Sequence, residues 1–264
     1  MADTSIAELD RLGRSVRDAW KHSILADFPA HAANQLLADA RLEHLRPSEV
    51  FYRGVRRDSA MPLALVVDGL VRILLMEPSG RQVTIRYAPP GSVVGLPWNL
   101  LSPSDGRADC PASDTWLAFG GPARDAQAVR ATTLLHLRPG RFRAVMQQDP
   151  AACWVVSRQL AAQLIQAEQQ LTAELFLPVR ARVAAHLLRL AEQTDRELIV
   201  RARHEAIAAA MGSVREVISR ELKRMEREGL VQRVGGITGY MRIVDAAALR
   251  EISIGGDAAL TESA

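Results

Sequence analysis

Residues 211–229 read Met-Gly-Ser-Val-Arg-Glu-Val-Ile-Ser-Arg-Glu-Leu-Lys-Arg-Met-Glu-Arg-Glu-Gly and contain the strongest structural signal in the chain. Gly212 suits a tight turn, because glycine adopts a positive φ without a steric penalty. Ser213, followed three residues later by Glu216, is typical of a capping box, in which each side chain accepts a backbone N–H at the start of a helix. The spacing therefore predicts a helix that begins at Val214.

This predicted helix has an apolar face and a polar face. The apolar side chains that can pack inward are Val217, Ile218, Leu222 and Met225. The polar side chains that can point outward near its start are Arg215, Glu216, Ser219 and Arg220. A short helix over about residues 204–210 is predicted before the turn. Two helices around a glycine turn are the layout of a helix-turn-helix, whose second helix enters the major groove of DNA. The alternative is an ordinary helical hairpin whose charges face solvent.

Two short strands are predicted directly after this helix. Residues 229–234 and 237–244 have strand composition, and the Gly235-Gly236 pair between them fits a two-residue hairpin turn. A hairpin in this position makes the motif a winged helix-turn-helix. Arg233 and Arg242 on the two strands are placed to meet DNA phosphates.

Composition limits the class of protein. A length of 264 residues with 48% hydrophobic and 24% charged residues is ordinary for a soluble protein of two domains. Residues 178–252 hold 14 Lys/Arg against 10 Asp/Glu, so a net charge of +4 lies in this part, compared with +3 for the whole chain. No apolar run approaches the roughly 20 residues of a membrane span. The first ten residues lack a signal-peptide pattern, so we expect a cytoplasmic protein.

The hydrophobic period changes along the N-terminal part. Apolar residues recur at helical spacing over residues 1–46, and short β-type runs separated by Gly and Pro begin near residue 49. These runs cover residues 50–52, 63–67, 70–76, 83–87 and 93–94, with one or two more strands over 126–137. Regular short strands predict a small antiparallel barrel or jelly roll. The predicted fold class is therefore α+β.

The longest predicted helix covers residues 149–175, after a helical pattern that begins near Arg141. Four of its residues repeat at spacings of four and three, as in a coiled-coil seam: Leu160, Leu164, Ala167 and Leu171. The helix either packs against its own barrel or forms a two-fold dimer, and we expect the dimer because winged-helix proteins engage two half-sites. Pro178 ends this helix and is the expected hinge between domains, and an amphipathic helix resumes over 179–192.

Four segments follow as the predicted domain organisation. Residues 1–140 form N-terminal helices and an antiparallel β-roll that serves as the effector or sensor domain. Residues 141–177 form the dimerisation helix, and residues 178–252 form the winged helix-turn-helix. Residues 253–264 are expected to be a flexible C-terminal tail.

Together these features resemble the bacterial CRP/FNR family, named after the cyclic-AMP receptor protein and the fumarate–nitrate reductase regulator. The resemblance covers about residues 22–252 and is specific in segments 49–54, 66–72, 79–84, 90–95 and 212–220. It implies a cyclic-nucleotide-binding-like roll and a transcription regulator that binds a palindromic operator as a homodimer. It also implies RNA polymerase as a further partner.

The resemblance assigns base readout to Arg215, Glu216 and Arg220. Arginine offers a bidentate fork to guanine O6 and N7, and glutamate accepts from cytosine N4, so G·C pairs are expected in each half-site. Ser219 resembles the FNR-type variant of the motif, whereas Arg215 resembles the CRP type. Three further DNA contacts are expected at Ser213, Lys223 and Arg233.

The chain departs from the cyclic-nucleotide binders of this family. Those proteins carry a Gly-Glu pair for the ribose and an Arg-Ser/Thr pair for the phosphate. Here Leu96 follows Gly95, and the phosphate-arginine position falls near Pro122. Arg124 is close but out of register, and Asp125 beside it is expected to repel a phosphate. The cysteine cluster of the oxygen-sensing branch is also missing, so we expect an effector other than cyclic AMP, or none.

Candidates for the effector pocket are Gly95, Leu96, Trp98 and Arg124. The apolar lining expected from Val94, Leu96 and Trp98 favours a hydrophobic ligand, a haem or a pocket filled by its own side chains. An apparent insertion over residues 98–121 contains Cys110-Pro111, a dipeptide seen at some haem-thiolate sites. The alternative hypothesis is thus a haem- or redox-responsive regulator that uses Cys110.

A metal site and an enzyme are both disfavoured. Cys110 and Cys153 are the two cysteines and have no CxxC spacing, so no thiolate zinc site or cysteine-ligated cluster can form within one chain. A cupin-like enzyme is a remote alternative, because the six histidines form no His-x-His pair. No Gly-x-Ser-x-Gly or Walker loop occurs either. We therefore expect neither catalysis nor, haem aside, a cofactor.

Overall fold

A computed structural model describes residues 9–54, 62–77, 80, 82–101, 123–194, 197–234 and 239–254. The chain divides into two compact units, Met1–Leu164 and Ile165–Ala264. The longest helix contributes residues to both units. No helix in the described ranges is long and apolar enough to cross a membrane.

The described residues of the N-terminal unit form helices and eight strands. Its helical segments are α1 (Arg14–Lys21), a 3₁₀ turn (Ile24–Asp27), α2 (Ala30–Leu37), α3 (Leu96–Leu101), α4 (Pro139–Gln148) and the first part of α5 (Pro150–Phe176). Its strands are β1 (Arg41–Leu45), β2 (Val50–Arg53), β3 (Leu63–Asp68), β4 (Val71–Met76), β5 (Gln82–Ala88), β6 (Val93–Val94), β7 (Ala123–Ala128) and β8 (Thr132–Leu137).

The strands form two antiparallel sheets with the orders β1-β8-β3-β6 and β2-β7-β4-β5. Both sheets contribute to an apolar interior, here called the roll cluster: Leu45, Ala64, Val66, Val71, Ile73, Ala88, Val94, Ala126, Ala128 and Leu134. Successive side chains of a strand point to opposite faces. The alternate residues of β3 and β8 therefore enter a second cluster, here called the helix-side cluster, with Trp20, Leu36 and Phe142.

Burial on both faces explains why β3 is almost continuously apolar, with five consecutive buried residues. The two sheets confirm the predicted antiparallel roll. The predicted strand or two over 126–137 is the pair β7 and β8, which continues N-terminally to Ala123.

The prediction of helical structure up to residue 46 is wrong at its end. Arg41–Leu45 is strand β1, which pairs antiparallel with β8. Four of its five residues are exposed, so its own composition carries no strand period. Contacts with β8 stabilise this strand. Oε2 of Glu43 lies 2.6 Å from Nε2 of His136, and Nδ1 of His44 lies 3.0 Å from Oγ1 of Thr133.

Helix α5 begins where a side chain caps it. Oδ1 of Asp149 accepts hydrogen bonds from the backbone N–H groups of Ala151 and Ala152 at 2.9 and 3.1 Å. Such an N-cap satisfies donors that have no partner within the helix. The predicted helix over 149–175 is therefore correct to within one residue at each end.

The C-terminal unit contains α6 (Val179–Leu190), β9 (Glu192–Thr194), β10 (Glu197–Arg201), α7 (His204–Ala210), α8 (Arg215–Arg227), β11 (Val231–Arg233), β12 (Tyr240–Ile243) and α9 (Ala246–Ser253). Pro178 is the N-cap of α6. The sheet order is β11-β12-β10-β9, all antiparallel. Strands β9 and β10 were not predicted, and the predicted helix over 179–192 is two residues longer than α6. The two strands hold only three and five residues, too few for a clear period.

Candidate functional site

Helices α7 and α8 form the predicted helix-turn-helix. Gly212 in the turn has a φ of +61°, a backbone conformation that glycine adopts without a steric penalty. The buried side chains of the pair are Ile207, Ala208, Ala210, Ile218, Leu222 and Met225. The first helix has the predicted bounds.

The predicted capping box is wrong. Helix α8 begins at Arg215, and its N-cap is Val214 in an extended conformation, where no capping side chain accepts a backbone N–H. The backbone N–H of Ser213 donates to the carbonyl of Ala208 at 2.9 Å, which continues the turn past the serine. Ser213 thus lies one residue too early to cap the helix. Glu216 remains in the first turn, where a carboxylate interacts favourably with the helix dipole.

The charged candidates for DNA contact on α8 all face solvent. Arg215, Glu216, Arg220 and Lys223 are exposed, whereas the apolar side of the same helix is buried. Ser219 is half-buried, and its Oγ lies 3.2 Å from Nδ1 of His204 at the start of α7. The structure therefore places the predicted base-reading side chains on one accessible surface.

The two wing strands are shorter than predicted. Arg233 pairs with Met241, and the N–H of Val234 donates to the carbonyl of Tyr240 at 3.2 Å. The predicted Gly235-Gly236 turn lies outside the described residues.

Both wing arginines already have acidic neighbours. Nε of Arg233 lies 3.3 Å from Oε2 of Glu226, and Nη1 of Arg242 lies 2.6 Å from Oε1 of Glu197. All four side chains are at least one-third exposed. Exposed ion pairs contribute little free energy, so a DNA phosphate can replace either carboxylate at small cost.

His204 also lies at this surface, beside Ser219, and it was not among the predicted site residues. Burial holds its pKa below the usual value, and the positive charges of Arg233, Arg215 and Lys223 lower it further, against the opposing charge of Glu226. Three cations from α8 and β11 thus act on one point, where they favour an arriving phosphate. Residue spacing could not reveal His204, because its neighbours come from two other elements, α8 and β11.

The end of α8 is bound to α6 through Glu228. Its carboxylate accepts hydrogen bonds from Nη1 and Nη2 of Arg180 at 3.1 and 2.5 Å and from Nε of Arg224 at 3.0 Å. The bidentate bond from Arg180 is the main reason that the pKa of Glu228 lies below its usual value. This contact fixes the base of the recognition helix.

In the roll, the structure brings two effector-site candidates together. Cζ of Arg124 lies 4.4 Å from the ring centroid of Trp98, within the range of a cation–π contact. Burial lowers the pKa of Arg124, and the Tyr52 side chain partly opposes that shift. Trp98 also packs against the roll cluster.

The other two candidates do not line the same space. Leu96 is fully buried in the helix-side cluster, so the predicted lining of Val94, Leu96 and Trp98 is wrong at Leu96. Gly95 has a φ of +86°, and a Cβ there would lie 2.3 Å from the carbonyl oxygen of Pro62. Its lack of a side chain is thus required for close packing of the backbone.

Asp125 does not face the roll interior. Ala126 and Ala128 belong to the roll cluster, so the alternation of β7 directs Asp125 to the outer face. There its Oδ1 accepts the N–H of Gly54 at 3.1 Å. The Asp125 carboxylate therefore does not lie beside Arg124 in the roll interior, and its expected repulsion of a bound phosphate stays a prediction.

Residues 102–122 lie outside the described ranges, and with them the haem candidate Cys110, the phosphate position Pro122 and most of the apparent insertion. Within the part of the chain that the structure covers, no cluster of three or more His, Cys, Asp and Glu side chains is arranged to hold a metal ion.

The chain combines a roll of two antiparallel sheets with a long helix and a winged helix-turn-helix. This architecture is that of DNA-binding transcription regulators with an N-terminal roll. The family model of the Crp-like helix-turn-helix domain matches residues 181–252. The "Cyclic AMP receptor protein" of Thermus thermophilus is 31% identical over 206 residues, which cover 78% of this chain and 84% of that protein. The "Transcriptional regulator LdrP" of the same organism is 32% identical over 221 residues, which cover 77% and 92%.

A solved structure agrees with the fold. That of TTHA1359, a CRP/FNR-family transcriptional regulator from Thermus thermophilus, has a TM-score of 0.60 at 24% sequence identity, and the match covers 81% of this chain and 98% of that one. The chain belongs to the CRP/FNR family of transcription regulators.

Proposed function

We propose that this regulator binds a palindromic operator with G·C pairs in each half-site as a homodimer, and that Arg215, Glu216, Ser219 and Arg220 read the bases. One observation carries this proposal. The first six residues of α8 present their charged side chains to solvent, whereas Ile218 on the same turns is fully buried. The helix can therefore enter a major groove without losing its own packing.

Phosphate contacts are proposed for the residues around these four. Lys223 lies on the exposed face of α8, and Arg233 lies on the first wing strand. Ser213 can donate its hydroxyl to a phosphate, because that side chain caps no helix. These contacts would position the protein on the duplex without carrying sequence information.

The experiment compares operator DNA, selected from a random library, with unrelated DNA at one salt concentration. Arg215→Ala or Arg220→Ala should each weaken operator binding by about 1–3 kcal/mol and unrelated binding far less. Arg227→Ala is the matched control: it removes an exposed arginine from the same helix, roughly 18 Å from Arg215. Equal losses on both DNAs would reduce the roles of Arg215 and Arg220 to phosphate contacts.

Exposed apolar residues of α5 support the homodimer. Large side chains that remain more than half exposed are Trp154, Leu164, Ile165, Leu171, Leu175 and Phe176. Leu160, the first residue of the predicted seam, instead packs against the helix-side cluster. The apolar seam is therefore exposed from Leu164 onward. We propose that the same seam of a second copy of α5 covers it, because two-fold operator binding requires a dimer.

The proposed effector is not cyclic AMP, although one relative is named as a cyclic AMP receptor protein. Leu96 has no acceptor for a ribose hydroxyl and lies in the helix-side cluster. Pro122 offers neither positive charge nor an N–H to a phosphate. Calorimetric titration with cyclic AMP should show no binding; micromolar binding that raises operator affinity would contradict this part of the proposal.

Haem bound through Cys110 is the alternative proposal for the signal. A Soret band in the absorption spectrum of the purified protein, lost in Cys110→Ala, would favour it. RNA polymerase is the proposed protein partner at the promoter, to be tested by in vitro transcription with and without the operator.

A further inference from the structure

We propose that Val214 and Val217, at the start of α8, read a thymine through its C5-methyl group. Each half-site of the operator would then contain a T·A pair beside its G·C pairs. The inference rests on the proposed function of α8 as the helix that enters the major groove, and it adds a second type of base pair to the operator. Neither valine is among the residues proposed above to contact bases or phosphates.

The start of α8 is apolar at the two positions where a capped helix is polar. Its N-cap is Val214 and its third helical residue is Val217. In a capping box these positions hold Ser or Thr and Glu or Gln, whose side chains accept backbone N–H groups that have no partner within the helix. Valine cannot accept a hydrogen bond, so the first turn of α8 lacks this stabilisation.

The side chain of Val214 is not used by the core of the unit. It is 60% exposed, and its backbone is extended, with a φ of −86° and a ψ of 143°. The apolar residues of α8 that pack inward are Ile218, Leu222 and Met225. Val217 is half-buried, so part of its side chain also faces solvent. Contact with a bound partner would therefore bury apolar surface that folding leaves exposed.

The two valines lie at the end of the helix that reads DNA. In a helix-turn-helix, the N-terminal residues of the second helix contact the base edges. Val214 and Val217 flank Arg215 and Glu216, the exposed pair proposed to read bases. Two apolar side chains thus lie within an otherwise polar base-reading surface.

The chemistry of DNA leaves one matching group. Valine has no donor for a phosphate oxygen, so these residues cannot make the contacts that position a protein on the backbone. In the major groove the base pairs present hydrogen-bond donors, acceptors and one methyl group, the C5-methyl of thymine. An apolar side chain that contacts this methyl distinguishes thymine from cytosine, which carries a hydrogen at C5.

The first experiment replaces thymine with deoxyuridine in operator DNA selected from a random library. This change removes the methyl group and keeps the hydrogen-bonding edge of the base. At one symmetric position it should weaken binding by about two- to fourfold per half-site, hence about four- to fifteenfold for the palindrome, as expected for partial to full burial of one methyl group. Unchanged affinity with deoxyuridine at every thymine position overturns the inference.

The second experiment repeats this comparison with protein variants. Val214→Ser combined with Val217→Ala should bind the thymine and deoxyuridine operators equally. Val244→Ser is the matched control, because Val244 is a 55% exposed valine of the same unit that lies outside the helix-turn-helix. This control should retain the full dependence on the methyl group. A dependence that survives in the double variant assigns the methyl contact to other residues and overturns the inference.

Val214→Ser should fold as the wild type does, because serine is a favoured N-cap residue and valine is not. If it fails to fold, Val214→Thr replaces it in the comparison. Threonine caps the helix, keeps the branched shape and exchanges one of the two methyl groups for a hydroxyl. It should reduce the difference between thymine and deoxyuridine, and an unchanged difference contradicts the role of Val214.

A third comparison restores the methyl group on another base. A 5-methyl-dC·dG pair at the same position should bind the wild type more tightly than a dC·dG pair, and Val214→Ser should bind both equally. The preference for the selected operator over unrelated DNA is measured in parallel. An intact preference without any effect of the methyl group contradicts the thymine contact alone, whereas the loss of all preference in the wild type contradicts the proposed function of α8 as well.

Discussion

Dimerisation through α5 gives the most quantitative prediction, and Leu164→Glu is the perturbation. Leu164 is 62% exposed in the single chain. Full burial of a leucine side chain contributes about 1.5–3 kcal/mol, so burial of the exposed part at an interface contributes about 1–2 kcal/mol. A two-fold interface contains the residue twice, so the loss per dimer is about 2–4 kcal/mol.

This loss corresponds to an increase of about 30- to 900-fold in the dimer Kd. The introduced glutamate adds the cost of desolvating a charge, so the variant should be monomeric at micromolar concentration. Sedimentation velocity measures the state directly. Operator affinity should fall in parallel, because a monomer holds a single half-site.

Gln166→Glu is the matched control. It adds the same charge at an exposed position on the opposite side of the same helix, two residues along. It should remain dimeric with unchanged operator affinity. If Leu164→Glu still sediments as a dimer, or if both variants dissociate equally, the interface does not lie on the predicted seam.

Two pH-dependent predictions follow from the C-terminal unit. The pKa of His204 in the folded protein lies below its ordinary value of 6.5, so its contribution to stability is present above pH 6.5 and is lost as pH falls through the lowered pKa. His204→Gln should therefore flatten this part of a plot of Tm against pH. An unchanged plot would contradict a lowered pKa at His204. The pKa of Glu228 lies below 4.5, so its stabilisation is present above pH 4.5 and is lost as pH falls through the lowered pKa. Glu228→Gln should therefore lower Tm at pH 7, and its difference from wild type should shrink in acid; a difference that is constant with pH would exclude the ionised bond to Arg180 as its source.

Much of the fold was predictable from local pattern. The helical period and Gly212 were sufficient for the two helices of the DNA-binding motif. Short apolar runs separated by Gly and Pro were sufficient for the strands of the roll that follow β1, but not for β1 itself. The start of α8 was not predictable in this way. A serine three residues before a glutamate fits a capping box whether or not the preceding turn ends at the serine. The N-cap at Val214 depends on the bond from Ser213 to Ala208, which belongs to the turn.

Local sequence thus established the order of helices and strands, the charged end of α8 and the absence of the family's ribose carboxylate after Gly95, since each depends on neighbouring residues. Tertiary pairing decided which faces those residues occupy. Leu96 enters the helix-side cluster, whereas Val94, two residues earlier, enters the roll cluster, because the chain turns at Gly95 with a positive φ. The environment of Arg86 also depends on a partner strand, because Arg86 lies opposite Ile73 of β4. Burial lowers the pKa of Arg86, and the residues next to it in the sequence do not show that burial.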